Sequence, residues 1–147
     1  MINIGDKVPE FEVLDQDENT VKLSDYSDKK LIIYFYPKDN TPGCTKQACN
    51  LRDHYAELKD EGYEILGVST DSSKSHLKFI DKFSLPFKLI VDTDKKLHDI
   101  FGVWAEKKMY GRTYMGTLRK TFVINRDGVL LNVIDKVKTD KHFDQLI

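Results

Sequence analysis

The chain has 147 residues, of which 40% are hydrophobic and 32% charged, an ordinary balance for one globular domain with a buried core. Its formal net charge of -1 gives no electrostatic attraction to nucleic acid or to an anionic membrane. No apolar run approaches the ~20 residues of a membrane helix, and the opening MINIGDKVPEF lacks the features of a signal peptide. We therefore expect a cytoplasmic protein whose cysteines are kept reduced.

The first half of the chain predicts a hairpin, a buried strand and a helix. Residues 11–14 and 20–23 indicate two short strands joined by a turn. The continuous apolar run LIIYFYP at 31–37 is typical of a central strand that is buried on both faces. A helix is expected from about Thr45 to Asp60, because apolar residues recur there at intervals of three and four.

The second half continues the alternation of strands and helices. The predicted elements are a strand at 63–70, a helix capped by Ser72 or Ser73, a strand at 87–92, a short helix at 94–102, a hairpin with Asp127-Gly128 at its turn, and a final helix from about 138.

This order of elements predicts an α/β protein. We expect a thioredoxin-like fold with an N-terminal β-hairpin extension, in which a mixed central sheet is flanked by helices. Residues 1–147 would form a single domain. Function in open α/β sheets lies beyond the carboxyl ends of the strands, and the segment after the strand at 31–37 contains Cys44.

Cys44 occupies a position that suits a reactive thiol. It follows a strand, two prolines and a glycine, and it stands at the beginning of the predicted helix. Unpaired N–H groups and the positive end of the helix dipole favour the thiolate over the thiol at such a position. The alternative is that Cys44 is a small buried hydrophobic residue.

Cys49, the second of the two cysteines, follows Cys44 at an unusual interval of five residues. Five residues along an α-helix turn through ~500° and separate the Cα atoms by about 8.7 Å. A disulfide requires Cα atoms within ~7 Å, so the two thiols bond only if the helix unwinds. A metal site is disfavoured because no second pair of ligands has suitable spacing.

The four histidines lie in separate predicted elements and form no motif, which leaves a Cys-His hydrolase open. His54, on the helix that follows Cys44, is expected at the surface.

The segment PKDNTPGC, from Pro37 to Cys44, resembles the active-site pattern P-x-x-x-T-x-x-C of the peroxiredoxins. The longer run YFYPKDNTPGCTKQACNLRD is similar to that of the peroxiredoxin Q or bacterioferritin comigratory protein group. The resemblance extends through GDKVPEFEV, LGVSTDS and MYGRTYMGTLRKTFVI to the DG turn. The chain departs from the pattern at Asn40, where the family usually has an acidic or small residue, and its last helix looks short.

The resemblance implies a thiol peroxidase that reduces hydrogen peroxide and organic hydroperoxides. Cys44 would be the peroxidatic cysteine, whose thiolate attacks the peroxide and becomes a sulfenic acid. Arg119 would stabilise the thiolate and the departing oxygen. Thr41 would bond the peroxide or the thiolate, Pro37 would shield the pocket, and the backbone N–H groups of Gly43 and Cys44 would bind the peroxide oxygens.

The resemblance also implies how the enzyme is recycled. Cys49 would be the resolving cysteine, which forms an intramolecular disulfide with Cys44, and a thioredoxin-like protein would reduce this disulfide. No metal, haem or nucleotide cofactor is needed, and a monomer is expected.

Two other functions remain open at this point. The first is a thiol–disulfide oxidoreductase of the thioredoxin class, although the chain lacks C-x-x-C; the second is a redox sensor that passes its disulfide to a partner protein. The aromatic stretch at 101–116 is too irregular for a helix. It is expected to be either a packed loop or a wall beside Cys44 that also meets the reductase.

Overall fold

A mixed sheet of seven strands forms the centre of the protein in a computed structural model, which describes residues 2–146. The nine strands of this described part are β1 (Glu12–Leu14), β2 (Thr20–Lys22), β3 (Lys30–Phe35), β4 (Tyr63–Ser69), β5 (Lys88–Val91), β6 (Trp104–Met109), β7 (Arg112–Thr117), β8 (Lys120–Ile124) and β9 (Leu130–Ile134). The strands of the main sheet are ordered β2-β1-β5-β4-β3-β8-β9, and β6 and β7 form a separate pair.

In the described part of the chain, five α-helices and one 3-10 helix accompany the strands. They are the 3-10 helix Leu23–Tyr26, α1 (Pro42–Asp53), α2 (Tyr55–Asp60), α3 (Ser73–Phe83), α4 (Lys96–Phe101) and α5 (His142–Leu146). Within residues 2–146, none of these helices has the length and apolar character needed to cross a lipid bilayer.

Strand β3 confirms the prediction of a buried central strand. It pairs with β4 in parallel and with β8 in antiparallel orientation, and its side chains from Leu31 to Phe35 are fully buried. Because successive side chains of a strand point to opposite faces, Ile33 and Phe35 join one core cluster, whereas Ile32 and Tyr34 join the cluster under α1 and α2.

Three more predicted elements are confirmed. Strands β1 and β2 form the N-terminal hairpin, which extends the main sheet because Leu14 pairs with Val91 of β5. Helix α3 begins after Ser72, whose side chain accepts a hydrogen bond from the Ser75 N–H. Strands β8 and β9 form the last hairpin, and Gly128 supplies the positive φ of 79° that its turn requires.

The helix predicted from about Thr45 to Asp60 is wrong in two respects. It begins earlier, at Pro42, because proline suits the first position of a helix, where no N–H partner is needed. It also breaks at His54, whose ring stacks on Phe143 of α5 at 4.0 Å between ring centroids. His54 was predicted to lie at the surface, and its side chain is one-third exposed.

Residues 104–117 form a β-hairpin, so of the two alternatives for the stretch 101–116 the packed loop is wrong. Tyr110 and Gly111, both with positive φ, form its turn, and Tyr110 is 98% exposed. At the base of the hairpin, Trp104 packs edge-on against His98 of α4, with 5.8 Å between ring centroids. The Lys95 ammonium lies 4.8 Å from the centre of the Trp104 ring.

Helix α5 is attached to the sheet through the buried side chain of His142. The His142 Nδ1 donates to Gln145 Oε1 (2.9 Å), and the Thr121 hydroxyl of β8 donates to His142 Nε2 (2.8 Å). Burial lowers the pKa of His142 below its usual value; the hydrogen bond to Gln145 opposes this change, whereas the positive charge of Arg119 adds to it. The folded protein therefore favours the neutral imidazole.

This environment predicts that acid weakens the protein through His142. As the pH falls below the unfolded pKa of about 6.5, the unfolded chain takes up a proton that the folded chain resists, so the free energy of unfolding decreases. Replacing His142 by Gln should reduce the decrease measured by urea unfolding at pH values on either side of about 6.5. His54→Gln is the control. Equal decreases in the free energy of unfolding in the parent and in His142→Gln would show that His142 does not cause the effect of acid.

Candidate active site

The register of β3 and β8 brings two distant parts of the chain to one edge of the sheet. Phe35, the last residue of β3, pairs with Lys120, the first residue of β8. The loop that follows β3 and the residue that precedes β8, Arg119, therefore lie side by side. Helix α1 starts after this loop, and Cys44 is its third residue.

Cys44 and Arg119 are in direct contact. The Cys44 Sγ lies 3.2 Å from Arg119 Nη2, and Cys44 is only 1% exposed. A guanidinium at hydrogen-bonding distance stabilises the sulfur as an anion. The predicted pair of Cys44 and Arg119 is thus assembled across 75 positions of sequence.

Gln47 orients Arg119 and was not identified from the sequence. Its Oε1 accepts a hydrogen bond of 2.7 Å from Arg119 Nη1, and its side chain is fully buried. Residues three apart share a face of a helix, so Gln47 lies beside Cys44. The sequence feature that could have identified Gln47 is a polar residue beside the apolar positions Ala48 and Leu51.

The first turn of α1 also presents backbone donors. The intrahelical hydrogen bonds begin with Thr45 N–H to the Thr41 carbonyl (2.8 Å), so the N–H groups of Gly43 and Cys44 precede this ladder. A Cβ atom at Gly43 would lie 3.3 Å from Arg119 Nη2, a tight contact. Glycine therefore allows the guanidinium to approach the backbone closely.

Thr41 and Pro37 lie in the loop between β3 and α1. The Thr41 hydroxyl donates to the Lys38 carbonyl (2.8 Å) and does not cap the helix. Its oxygen lone pairs are then available to accept a hydrogen bond from another molecule. Pro37 is half-buried and directly follows the buried Tyr36.

Asp39 anchors this loop to the rest of the protein. Its buried carboxylate receives hydrogen bonds of 2.5 to 2.8 Å from the side chains of Tyr36, Ser75 and His76. The Nε2 of His76 donates to the Ile90 carbonyl (2.8 Å). The network thus connects the loop to α3 and β5, and no sequence motif indicated it.

Two further contacts complete the anchoring of the loop. The Asp39 N–H donates to Asp71 Oδ2 (2.8 Å), which also accepts from the Ser69 hydroxyl (2.8 Å). Asn40 has a φ of 59°, a left-handed conformation that asparagine tolerates better than most residues. The departure from the family pattern at Asn40 therefore suits the backbone of this loop.

Tyr34 belongs to the same buried cluster as Cys44. Burial raises the pKa of Tyr34 well above its usual value, and negative charge at Cys44 raises it further, so the phenol stays protonated. Gly67 of β4 makes room for the ring, because a Cβ atom there would lie 2.9 Å from the Tyr34 hydroxyl. Within residues 2–146, the Tyr34 hydroxyl and Gln47 Nε2 are the buried side-chain polar atoms without a hydrogen-bond partner.

Cys49 is not brought to Cys44 in this conformation. Both thiols are free, and Cys49 is partly exposed whereas Cys44 is buried. Because α1 is continuous from Pro42 to Asp53, the helical spacing of about 8.7 Å between their Cα atoms applies, which is too long for a disulfide. The structure is that of the reduced protein.

Comparison with known proteins gives consistent matches over almost the whole chain. Residues 4–133 match the AhpC/TSA family. The chain is 47% identical to peroxiredoxin Bcp of Bacillus subtilis over 96% of this chain and 90% of that protein. It is 43% identical to peroxiredoxin Bcp of Escherichia coli over 99% of this chain and 94% of that protein.

Solved structures agree with these matches. The bacterioferritin comigratory protein of Xanthomonas campestris, whose structures address its alkyl peroxide reduction activity, superposes with a TM-score of 0.87 at 36% identity, over 92% of this chain and 87% of that one. A PrxQ mutant of Xylella fastidiosa superposes with a TM-score of 0.93 at 33% identity, over 99% and 93% of the two chains.

The contact between Cys44 and Arg119 predicts that Arg119→Met slows the reaction of Cys44 with a thiol reagent. A hydrogen bond to a charged group contributes roughly 1.5–3 kcal/mol, so we expect a loss of about ten- to a hundredfold in rate. The rate of alkylation by iodoacetamide near neutral pH, measured in a Cys49→Ser background, reports Cys44 alone. Arg126→Met, at an exposed turn, is the control, and an unchanged rate in Arg119→Met would contradict the role of the contact.

Proposed function

This chain belongs to the AhpC/TSA family, and within it to the Bcp and peroxiredoxin Q group, and we propose that Cys44 is its peroxidatic residue. It is therefore a thiol peroxidase with a thioredoxin-like peroxiredoxin fold. The observation that carries this assignment is the buried contact of 3.2 Å between Cys44 Sγ and Arg119 Nη2. Cys49 has no such cationic partner among residues 2–146.

The proposed reaction begins with attack by the Cys44 thiolate. The sulfur electron pair forms a bond to the terminal peroxide oxygen while the O–O bond breaks. Cys44 is oxidised to a sulfenic acid, and the departing oxygen takes up a proton to leave as water or an alcohol. Arg119 stabilises the negative charge on that oxygen, and Gln47 orients the guanidinium.

The groups around Cys44 would position the peroxide. The N–H groups of Gly43 and Cys44, which precede the first hydrogen bond of α1, would donate to the peroxide oxygens. Thr41 would accept a hydrogen bond from the peroxide O–H, since its own hydroxyl hydrogen is donated to the Lys38 carbonyl. Pro37 would cover the pocket and exclude water.

The substrates are peroxides, and we propose that they include alkyl hydroperoxides as well as hydrogen peroxide. Support comes from the Xanthomonas campestris relative, which is described by its alkyl peroxide reduction activity. A thioredoxin-type disulfide reductase would complete the cycle.

We also propose that residues 1–147 act as one domain, in the cytoplasm and as a monomer. Sedimentation at assay concentrations would test whether the protein is a monomer.

Cys49 is proposed as the resolving residue, since the chain contains no third cysteine. Its thiolate would attack the sulfur of the Cys44 sulfenic acid, and the S–O bond would break to release hydroxide, which takes up a proton to become water. Because both residues lie in one helix, part of α1 must unwind first. Each helical hydrogen bond lost costs ~0.5–1.5 kcal/mol, and the short loop that closes costs little chain entropy.

Replacing Cys44 and replacing Cys49 should impair different steps of the reaction. Cys44→Ser should abolish peroxide reduction, because the attacking sulfur is removed. Cys49→Ser should still form a sulfenic acid, which dimedone traps and mass spectrometry detects, but should lose turnover with thioredoxin.

The reverse pattern, with sulfenic acid formed in Cys44→Ser but not in Cys49→Ser, would contradict both assignments. Steady peroxide consumption by the parent with thioredoxin present separates a peroxidase from a redox sensor. Insulin reduction without peroxide would instead indicate a thiol–disulfide oxidoreductase.

Unwinding of α1 predicts a local change in amide hydrogen exchange. Amides 44–52 should be protected in the reduced protein and exchange much faster in the disulfide form, because their helical hydrogen bonds are broken. Amides 31–36 of the central strand should stay protected in both forms and are the internal control. Equal protection of 44–52 in both forms, with the intramolecular disulfide confirmed by mass, would exclude unwinding.

A further inference from the structure

Asn50, the residue after Cys49, joins α1 to the C-terminal segment, which we define as residues 136–146. Its Oδ1 accepts a hydrogen bond of 2.7 Å from the Phe143 N–H, the second residue of α5. Its Nδ2 donates to the Asp140 carbonyl at 3.3 Å. One side chain of α1 therefore binds backbone groups on both sides of the start of α5.

Other contacts place the C-terminal segment along the length of α1. At the end of α1, the His54 ring stacks on Phe143 with an angle of 7° between the ring planes. Near the beginning, a Cβ atom at Gly43 would lie 3.9 Å from Thr139 Cγ2. The segment thus borders the part of α1 that must unwind.

The segment has its own attachment to the protein. His142 is bonded to Thr121 of β8, and Gln145 Nε2 donates to the Lys136 carbonyl at 2.8 Å. Because α5 is bonded to β8 independently of α1, it can stay in place when α1 changes shape. The hydrogen bonds between Asn50 and α5 then oppose the movement of α1.

Unwinding of residues 44–49 leaves Asn50 with few restraints of its own. In a helix, each N–H bonds the carbonyl four residues earlier, so loss of this segment removes the partners of the N–H groups at 48–53. The backbone of Asn50 is then free to leave the helix, and its side-chain bonds to α5 oppose the movement.

We propose that Asn50 is a positioning residue for the resolution step: its hydrogen bonds to the start of α5 oppose the unwinding of α1 and set how fast Cys49 reaches oxidised Cys44. The inference rests on the proposed role of Cys49. The step itself is unchanged, with the Cys49 sulfur bonding to the Cys44 sulfur while hydroxide leaves and is protonated to water.

The test compares two rates in Asn50→Ala and the parent. After one equivalent of hydrogen peroxide, rapid quenching and mass spectrometry follow formation of the sulfenic acid and then of the disulfide. With these bonds removed, disulfide formation should be faster by about two- to tenfold, whereas sulfenic acid formation, which precedes unwinding, should keep the rate of the parent. General damage to the fold would instead slow the first step.

Two further variants sharpen the comparison. Asn50→Asp keeps the acceptor for the Phe143 N–H, so its disulfide rate should lie closer to the parent than that of Asn50→Ala. Asn132→Ala is the matched control, since the Asn132 side chain is exposed and, within residues 2–146, accepts only from the adjacent Val133 N–H. It should leave both rates unchanged.

Each outcome bears on one of the two proposals. If the parent forms no intramolecular disulfide, the proposed role of Cys49 is wrong. If the parent forms it and Asn50→Ala forms it at the same rate or more slowly, the role of Asn50 alone is wrong.

A measurement on the unmodified protein keeps the inference testable if Asn50→Ala does not fold. The Phe143 amide should be protected in the reduced protein by its bond to Asn50 and exchange faster in the disulfide form. Equal exchange of the Phe143 amide in the two forms would show that resolution proceeds without release of Asn50 from α5, which contradicts the proposal.

Discussion

The contact between the Cys44 sulfur and the Arg119 guanidinium is the interaction around which this protein is organised. A thiolate at a position that is 1% exposed would be costly without a positive partner. The nearby cations of α1 do not supply it, because Lys46 is exposed to solvent and Arg52 bonds the Phe83 carbonyl. It comes from the strand order, in which β8 lies antiparallel to β3 and delivers Arg119 to the end of β3.

The elements that place this contact were predictable because their signals are local. The apolar run of β3, the serine cap of α3 and the glycine turn of the last hairpin each depend on neighbouring residues. Cys44 and Arg119 were identified through the motif around each of them and its resemblance to a family. Arg119 on its own is an arginine before a strand, and nothing in its neighbours indicates a thiol.

What the sequence did not predict depends on contacts between distant residues. The break of the helix at His54 has no glycine or proline to mark it and coincides with stacking on Phe143. Gln47 and Asp39 resemble ordinary surface residues, yet both are buried by partners more than thirty positions away. The hairpin at 104–117 was missed because its turn is Tyr110-Gly111, whose tyrosine is unusual at a positive φ.

The position of Trp104, the only tryptophan in the chain, determines what its fluorescence can report. The indole lies against His98 and Lys95, and its strand partner Thr117 is two residues before Arg119. A change in emission during catalysis would therefore originate at the base of the hairpin, to which the chain leads from Arg119. The fluorescence of Trp104 would report movement of Arg119 more directly than unwinding of α1.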